Sequence, residues 1–333
     1  MDAAFAGDAA RVWKLLKAGA DPNIVSGTGH RYRPLHRLIE HKKTIPKHSG
    51  HDATLLILLK AGADPKLRGG MEKLTALQLA AFGETRFVPI LRKHLGTLDI
   101  FDAALLLDAP RVQALLKQNK KLAVSKDESG SEPIHFCAGS ALHKLDKKHA
   151  DASVKITQLL LDAGASPNAT RLFNEVWPLP VLYDACGRSN NARVARVLLE
   201  AGAEPVDGES IYHASDEGHT ECMALLDEFV PKKKMAIACT NALSGQLHWG
   251  RTSAMDWLLA RGADPTVLNE HYKVNALHAA VRNGAADPVI KKLLEHGAKP
   301  QLKTPDGKSS IDLARAHKNA KVRARLLALL ERV

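Results

Sequence analysis

One phrase recurs along the chain and limits what it can fold into. It reads Ala18-Gly19-Ala20-Asp21-Pro22, then Ala61-Gly62-Ala63-Asp64-Pro65, Ala163-Gly164-Ala165-Ser166-Pro167 and Ala201-Gly202-Ala203-Glu204-Pro205. Weaker copies are Gly262-Ala263-Asp264-Pro265 and Gly297-Ala298-Lys299-Pro300. A leucine pair precedes each: Leu15-Leu16, Leu58-Leu59, Leu160-Leu161, Leu198-Leu199, Leu258-Leu259 and Leu293-Leu294. Leucines at helical spacing bury one helix face, Gly takes the left-handed conformation just past the helix end, and Pro cannot continue the helix. The phrase is therefore a repeated helix terminator. Such internal self-similarity means a stack of small units rather than one globular core.

A second phrase lies upstream of the leucines. It reads Arg33-Pro34-Leu35-His36, Thr75-Ala76-Leu77-Gln78, Glu132-Pro133-Ile134-His135 and Asn275-Ala276-Leu277-His278, each followed by small residues such as Ala80-Ala81, Cys137-Ala138 and Ala279-Ala280. In this order the two phrases resemble the ankyrin repeat, a unit of about 33 residues built from a turn and two helices. The resemblance covers nearly the whole chain and implies an all-α ankyrin-repeat solenoid of about ten helix-turn-helix units, with short β-hairpin fingers, some missing. It further implies that His36, His135 and His278 bond a neighbouring turn. Residues 98–138, running from Asp102-Ala103-Ala104 to Asp127-Glu128-Ser129-Gly130, resemble a pattern common in bacterial ankyrin proteins, which implies a bacterial source.

Composition agrees with a helical stack. Aromatic residues are only 5%, whereas Ala and Leu, which favour closely packed helices, are abundant; a large sheet would want more β-branched and aromatic residues. Residues 1–333 read as a single array. Links into the fourth, seventh and eighth units are too short for a full finger, so breaks in curvature are expected near 95–98 and 205–234. Long fingers are expected at Ile24–Tyr32 and Ala169–Leu179, and Asp306-Gly307 reads as a regular finger turn.

Two units carry insertions between their helices, Glu40–His51 and Leu142–His149. Both are rich in Lys and His and are followed by capping residues. They offer a secondary basic site: His41, Lys42, Lys43, Lys47 and His48 in the first, Lys144, Lys147 and Lys148 in the second. A solvated helix extension is the plainer reading, and the His spacing matches no familiar metal site.

The chemistry-bearing motifs are missing. The sequence has no P-loop, no G-x-S-x-G, no H-E-x-x-H and no C-x-x-C. Gly27-Thr28-Gly29 reads as part of a finger, and no catalytic centre, cofactor or metal site is expected. Cys137, Cys186, Cys222 and Cys239 lie far apart and read as buried small residues of a reducing compartment. With no signal-peptide core and no apolar run of membrane length, the chain reads as soluble, cytoplasmic and monomeric.

What remains is binding. The resemblance implies contacts from finger tips and the concave face of the first helices. Exposed aromatics beside Arg dominate binding energy in interfaces, which singles out Arg31, Tyr32 and Arg33; Arg171, Phe173 and Trp177; and His271, Tyr272 and Lys273. The leading reading is a protein-protein interaction scaffold or inhibitor. Net charge is +11, from 47 basic and 36 acidic residues, so a nucleic-acid-binding solenoid using the basic ends and the Lys/His insertions stays open. Against it, residues 200–230 hold nine acids and no Lys or Arg, and aromatics for base stacking are sparse. A third reading, an enzyme built on the groove, has no motif behind it.

Overall fold

The computed structural model describes residues 1–27, 29–40 and 49–331. The chain packs as two compact units, Met1–Ala203 and Glu204–Val333. Six helix pairs are described in the first: Asp2–Phe5 with Ala9–Lys17, Pro34–Ile39 with His51–Lys60, Ala76–Phe82 with Val88–Arg92, Ile100–Leu105 with Ala109–Gln118, Pro133–Gly139 with Lys147–Asp162, and Val181–Tyr183 with Ala192–Glu200. The second unit has four: Ser210–Asp216 with Thr220–Phe229, Lys232–His248 with Met255–Ala260, Ala276–Arg282 with Asp287–Glu295, and Ser310–Arg315 with Ala320–Leu330.

Within each unit the first helix of a pair packs on the first helix of the next. Among second helices, Ala9–Lys17 packs on His51–Lys60, Lys147–Asp162 on both Ala109–Gln118 and Ala192–Glu200, and Asp287–Glu295 on Ala320–Leu330. Each unit is thus an all-α stack of the ankyrin type, whose core is a line of interfaces rather than a centre. Leu55, Leu160 and Leu198 from second helices, and Leu38, Leu77 and Ile134 from first helices, are fully buried.

The terminators behave as read. Gly19, Gly62, Gly164, Gly202, Gly262 and Gly297 all take φ between 84° and 105°. At the second of these, the Gly62 and Ala63 amides donate back to Leu59 and Leu58, satisfying carbonyls the helix end leaves open. Three first helices start on reciprocal capping boxes, Thr75 with Gln78, Asn275 with His278 and Ser309 with Asp312.

Fingers vary in length. One is a true two-stranded ribbon, β1 (Thr170–Phe173) against β2 (Trp177–Pro180). Shorter ones close on single bridges, Gly69 with Leu74 and Lys303 with Ser309. In the second unit Val230 and Pro231 alone join the helix ending at Phe229 to the one starting at Lys232. The second Lys/His insertion forms a 3-10 turn, Ala141–Lys144, and the first turn of Lys147–Asp162, capped by Asp146. Residues 41–48, which hold His41, Lys42, Lys43, Lys47 and His48, lie outside the described residues.

Because every interface is local, each leucine matters to its own unit. Leu198 is 0% exposed, and Leu198→Ala is expected to cost the first unit about 2–5 kcal/mol. Urea unfolding of the variant, followed by amide exchange along Ala192–Glu200, checks this; an unchanged midpoint contradicts it.

Candidate functional site

The first unit's fingers are stitched side by side by backbone acceptors. Arg33 donates from Nε to the Arg68 carbonyl (3.2 Å) and from a terminal nitrogen to the Asn23 carbonyl (2.6 Å). Asn23 in turn donates to the Gly62 carbonyl and accepts from the Asp64 amide. Asn168 repeats the first of these bonds onto Gly202. His36 donates from Nε2 to the Leu74 carbonyl (2.9 Å), as His278 does to Leu302 in the second unit. The His36 ring packs so closely on Gly69 that a Cβ there would meet its Cε1 at 3.0 Å and the Arg31 carbonyl at 2.7 Å.

Deeper in, four charges and a histidine converge. Asp184 is 1% exposed and accepts from Arg171 (3.1 Å), from Arg188 Nε (3.0 Å) and from His135 Nδ1 (3.0 Å). Glu72 closes the ring, contacting Arg171 at 2.9 Å and Arg188 at 2.6 Å. Arg188 also lies over the Phe82 ring, 4.6 Å from its centroid. The helix widens into a π turn over Asp184–Arg188, which places the acid and the arginine in direct contact. Two acids against two arginines leave the cluster neutral in sum, and their mutual attraction and hydrogen bonds offset the cost of burying the ions. Burial alone would raise the Asp184 carboxyl, but Arg171, the His135 bond and Arg188 outweigh it and hold the group well below the usual carboxylate range.

The cluster fixes the base of the long finger. In the ribbon, Arg171 pairs with Leu179 and both are buried. Two residues further out on the same face, Phe173 pairs with Trp177. The tip turns through Asn174 and Glu175, both with positive φ (50° and 62°), and the Val176 amide bonds the Phe173 carbonyl. Positive φ at both central residues is the pattern of a type I′ turn, here with Glu where Gly is usual. The result is a finger with a locked base and an apolar tip: Leu172 is 55% exposed, Val176 66% and Trp177 46%.

Clefts open between the fingers. One of about 680 Å³ is lined by Arg31, Arg33, Arg68 and Lys73 together with Glu128 and Glu175. A neighbour of about 340 Å³ adds Lys126 and Arg171. Lys73 and Glu175 form an exposed ion pair from one finger to the other.

The second unit gathers its own aromatics. Trp249 donates from Nε1 to the Tyr272 hydroxyl (3.0 Å), His248 stacks on Tyr272 with centroids 4.0 Å apart, and His271 meets the same ring edge-on. Trp249 is 61% exposed, and Arg251 beside it pairs with Asp216.

Several sequence expectations change here. Arg171 is not a surface contact: it is 7% exposed and consumed by Asp184 and Glu72, because a hairpin residue facing the stack meets a buried acid. Arg33 is half-buried and spent on carbonyls, and Tyr32 is half-buried under Arg37, leaving Arg31 exposed in that finger. His135 bonds Asp184 instead of a turn carbonyl. Phe173 is half-buried and Trp177 exposed; His271 and Lys273 are exposed and Tyr272 half-buried. Lys144, Lys147 and Lys148 are exposed. The four cysteines are buried. Asp184, Arg188, Glu72 and Trp249 went unread. Asp184 had a signal, since it follows Leu182-Tyr183 where other phrases put Leu79, Phe136 or Ala279.

Among the described residues no group of three or more His, Cys, Asp or Glu is placed to hold a metal ion, and no helix is long and apolar enough to cross a membrane. No protein-family model matches the chain, and no curated protein does. Among solved structures it is similar to the human ASB11 ankyrin repeat domain, at 24% identity over 70% of this chain and 98% of that one, with TM-score 0.48. It is also similar to the ankyrin repeat domain of Bcl-3, described as a unique member of the IkappaB protein family, at 20% identity over 71% and 99%, with TM-score 0.47.

Proposed function

We propose that the chain is a protein-binding scaffold, not an enzyme, and that its main contact in the first unit is the tip of the ribbon at 170–180. One observation carries the reading: Leu172, Val176 and Trp177 are exposed on a finger whose base is held by a buried, neutral ion cluster. An exposed Trp among aliphatic side chains is the composition of an interface hot spot. A locked base means that little ordering entropy opposes binding. The second unit adds Trp249, Tyr272 and His271 as a further aromatic surface of the same kind.

The test is a pair of tip variants, Trp177→Ala and Val176→Ser, compared with the parent chain in affinity purification from the native host with mass spectrometry. Truncating a central Trp is expected to cost about 2 kcal/mol or more, roughly a thirty-fold loss of affinity. Partners enriched by the parent should therefore be depleted with both variants. Retention of the same set at the same level removes the tip from the interface.

A further inference from the structure

We propose that the cleft between the first unit's fingers receives an acidic peptide segment, and that Glu175 occupies the place of one of that segment's carboxylates in the free protein. This rests on the binding reading above and names the chemistry of the partner.

The cleft wall carries the argument. Four cations line it, Arg31, Arg33, Arg68 and Lys73, against two acids, Glu128 and Glu175. Arg33 gives two of its donors to carbonyls, which holds the side chain but leaves its charge uncompensated. Neither Arg31 nor Lys126, at the adjoining cavity, has an ion-pair partner among the described residues. Arg68 has carboxylates at hand, Asp127 at 2.7 Å and Glu128 at 3.5 Å, and Lys73 has Glu175. The wall thus presents excess positive charge to a partly apolar cleft with Leu67 and Met71 in its lining. An extended chain bearing carboxylates complements it. A single-stranded nucleic acid fits less well, because the lining contains no Phe, Tyr or Trp ring and its one aromatic side chain, His30, offers a single small platform for a base.

Glu175 supplies the second part. It stands at φ 62°, where Gly costs nothing and Glu is unfavourable, and Lys73, its partner, also has positive φ at 53°. Both side chains are largely exposed, 57% for Lys73 and 75% for Glu175, so the bond between them is weak and easily exchanged. Met71, Lys73, Glu128, Asn174 and Glu175 line both cavities, so the bridge stands at the boundary between the two. An incoming carboxylate that takes Lys73 frees Glu175 to swing out and opens the two spaces to one ligand.

The test uses a fluorescent twelve-residue Glu/Asp-rich peptide, read by anisotropy against the full chain at low and physiological salt. Glu175→Gln keeps the backbone conformation and removes the competing charge, and should bind the peptide roughly two- to five-fold tighter, the range set by an exposed ion pair. Arg31→Glu should weaken it by at least that factor, and added salt should weaken it for every form. An unchanged or weaker Glu175→Gln overturns the proposal. So does tightening in Glu175→Gly alone, which would trace the effect to backbone relief. An oligo-dT of equal charge that binds as tightly and responds to the same variants also overturns it, in favour of nucleic acid. Because Trp177 does not line this cleft, loss of the native partner in Trp177→Ala with no peptide binding would sink this inference and leave the tip reading standing.

Discussion

Asp184→Asn is expected to destabilise the first unit by about 3–5 kcal/mol, the cost of breaking a buried ion cluster from one side. The substitution keeps the volume and removes the charge. Arg171 and Arg188 would then share only Glu72, leaving a net positive charge in a site where Arg171 is 7% exposed. Removing the facing charge as well, in Asp184→Asn with Arg171→Met, should recover part of the loss, and the double-mutant cycle measures the coupling. The pH sign follows from the depressed carboxyl. The stabilisation is fully present above the unfolded-chain value near 4 and is lost as pH falls below it through the folded value. Urea titration with amide exchange across residues 133–188 reads the effect directly. A variant with the parent's midpoint would show the cluster to be indifferent to its central acid.

His36 is expected to make the first unit lose stability between about pH 6.5 and pH 4. Burial pushes its imidazole down to about 4; the bond to Leu74 opposes this and Arg33 adds to it. Nε2 donates to the Leu74 carbonyl, so the proton of the charged form must go to Nδ1, which is buried and has no partner. The unfolded chain takes up that proton near pH 6.5 and the folded chain only near 4, so stability is full above 6.5 and falls as pH drops. The displacement from 6.5 to about 4 corresponds to about 3 kcal/mol. His36→Gln keeps a donor for Leu74 and cannot titrate, so its stability should be flat across this window. Exchange of the Gly69 and Leu74 amides, which bond each other's carbonyls, reports it locally. An equal slope in parent and variant would assign the acid sensitivity elsewhere. His278 in the second unit is lowered by the same cause, burial, so a local probe is needed to separate the two.

The histidines show how far a repeated phrase carries. His36 and His278 bond the next finger because their partners are backbone carbonyls, and a backbone carbonyl is present whatever the next unit's sequence. His135 departs because the following unit puts Asp184 within its reach. Arg171 was misread for the same reason. An Arg beside Phe173 and Trp177 in a hairpin has the composition of a contact patch, yet the period of two sends Arg171 inward while Leu172 faces out.

Local rules were enough for the helix ends. Gly19, Gly62, Gly164 and Gly202 stop helices through their own backbone freedom and the carbonyls of the preceding turn, and nothing distant can alter that. The repeat, the helix pairs and the leucine faces follow from the same short-range chemistry. The ion cluster does not, since Glu72 and Arg188 lie 116 residues apart and His135 and Asp184 lie 49 apart. The bridge from Lys73 to Glu175 spans 102 residues. Nothing in either neighbourhood identifies its partner, because a charged side chain reads as solvated until the stack supplies an opposite charge and removes the water. The order of units was therefore written locally, whereas which finger is locked, which tip is bare and which cations face an open cleft were decided only when the units stacked.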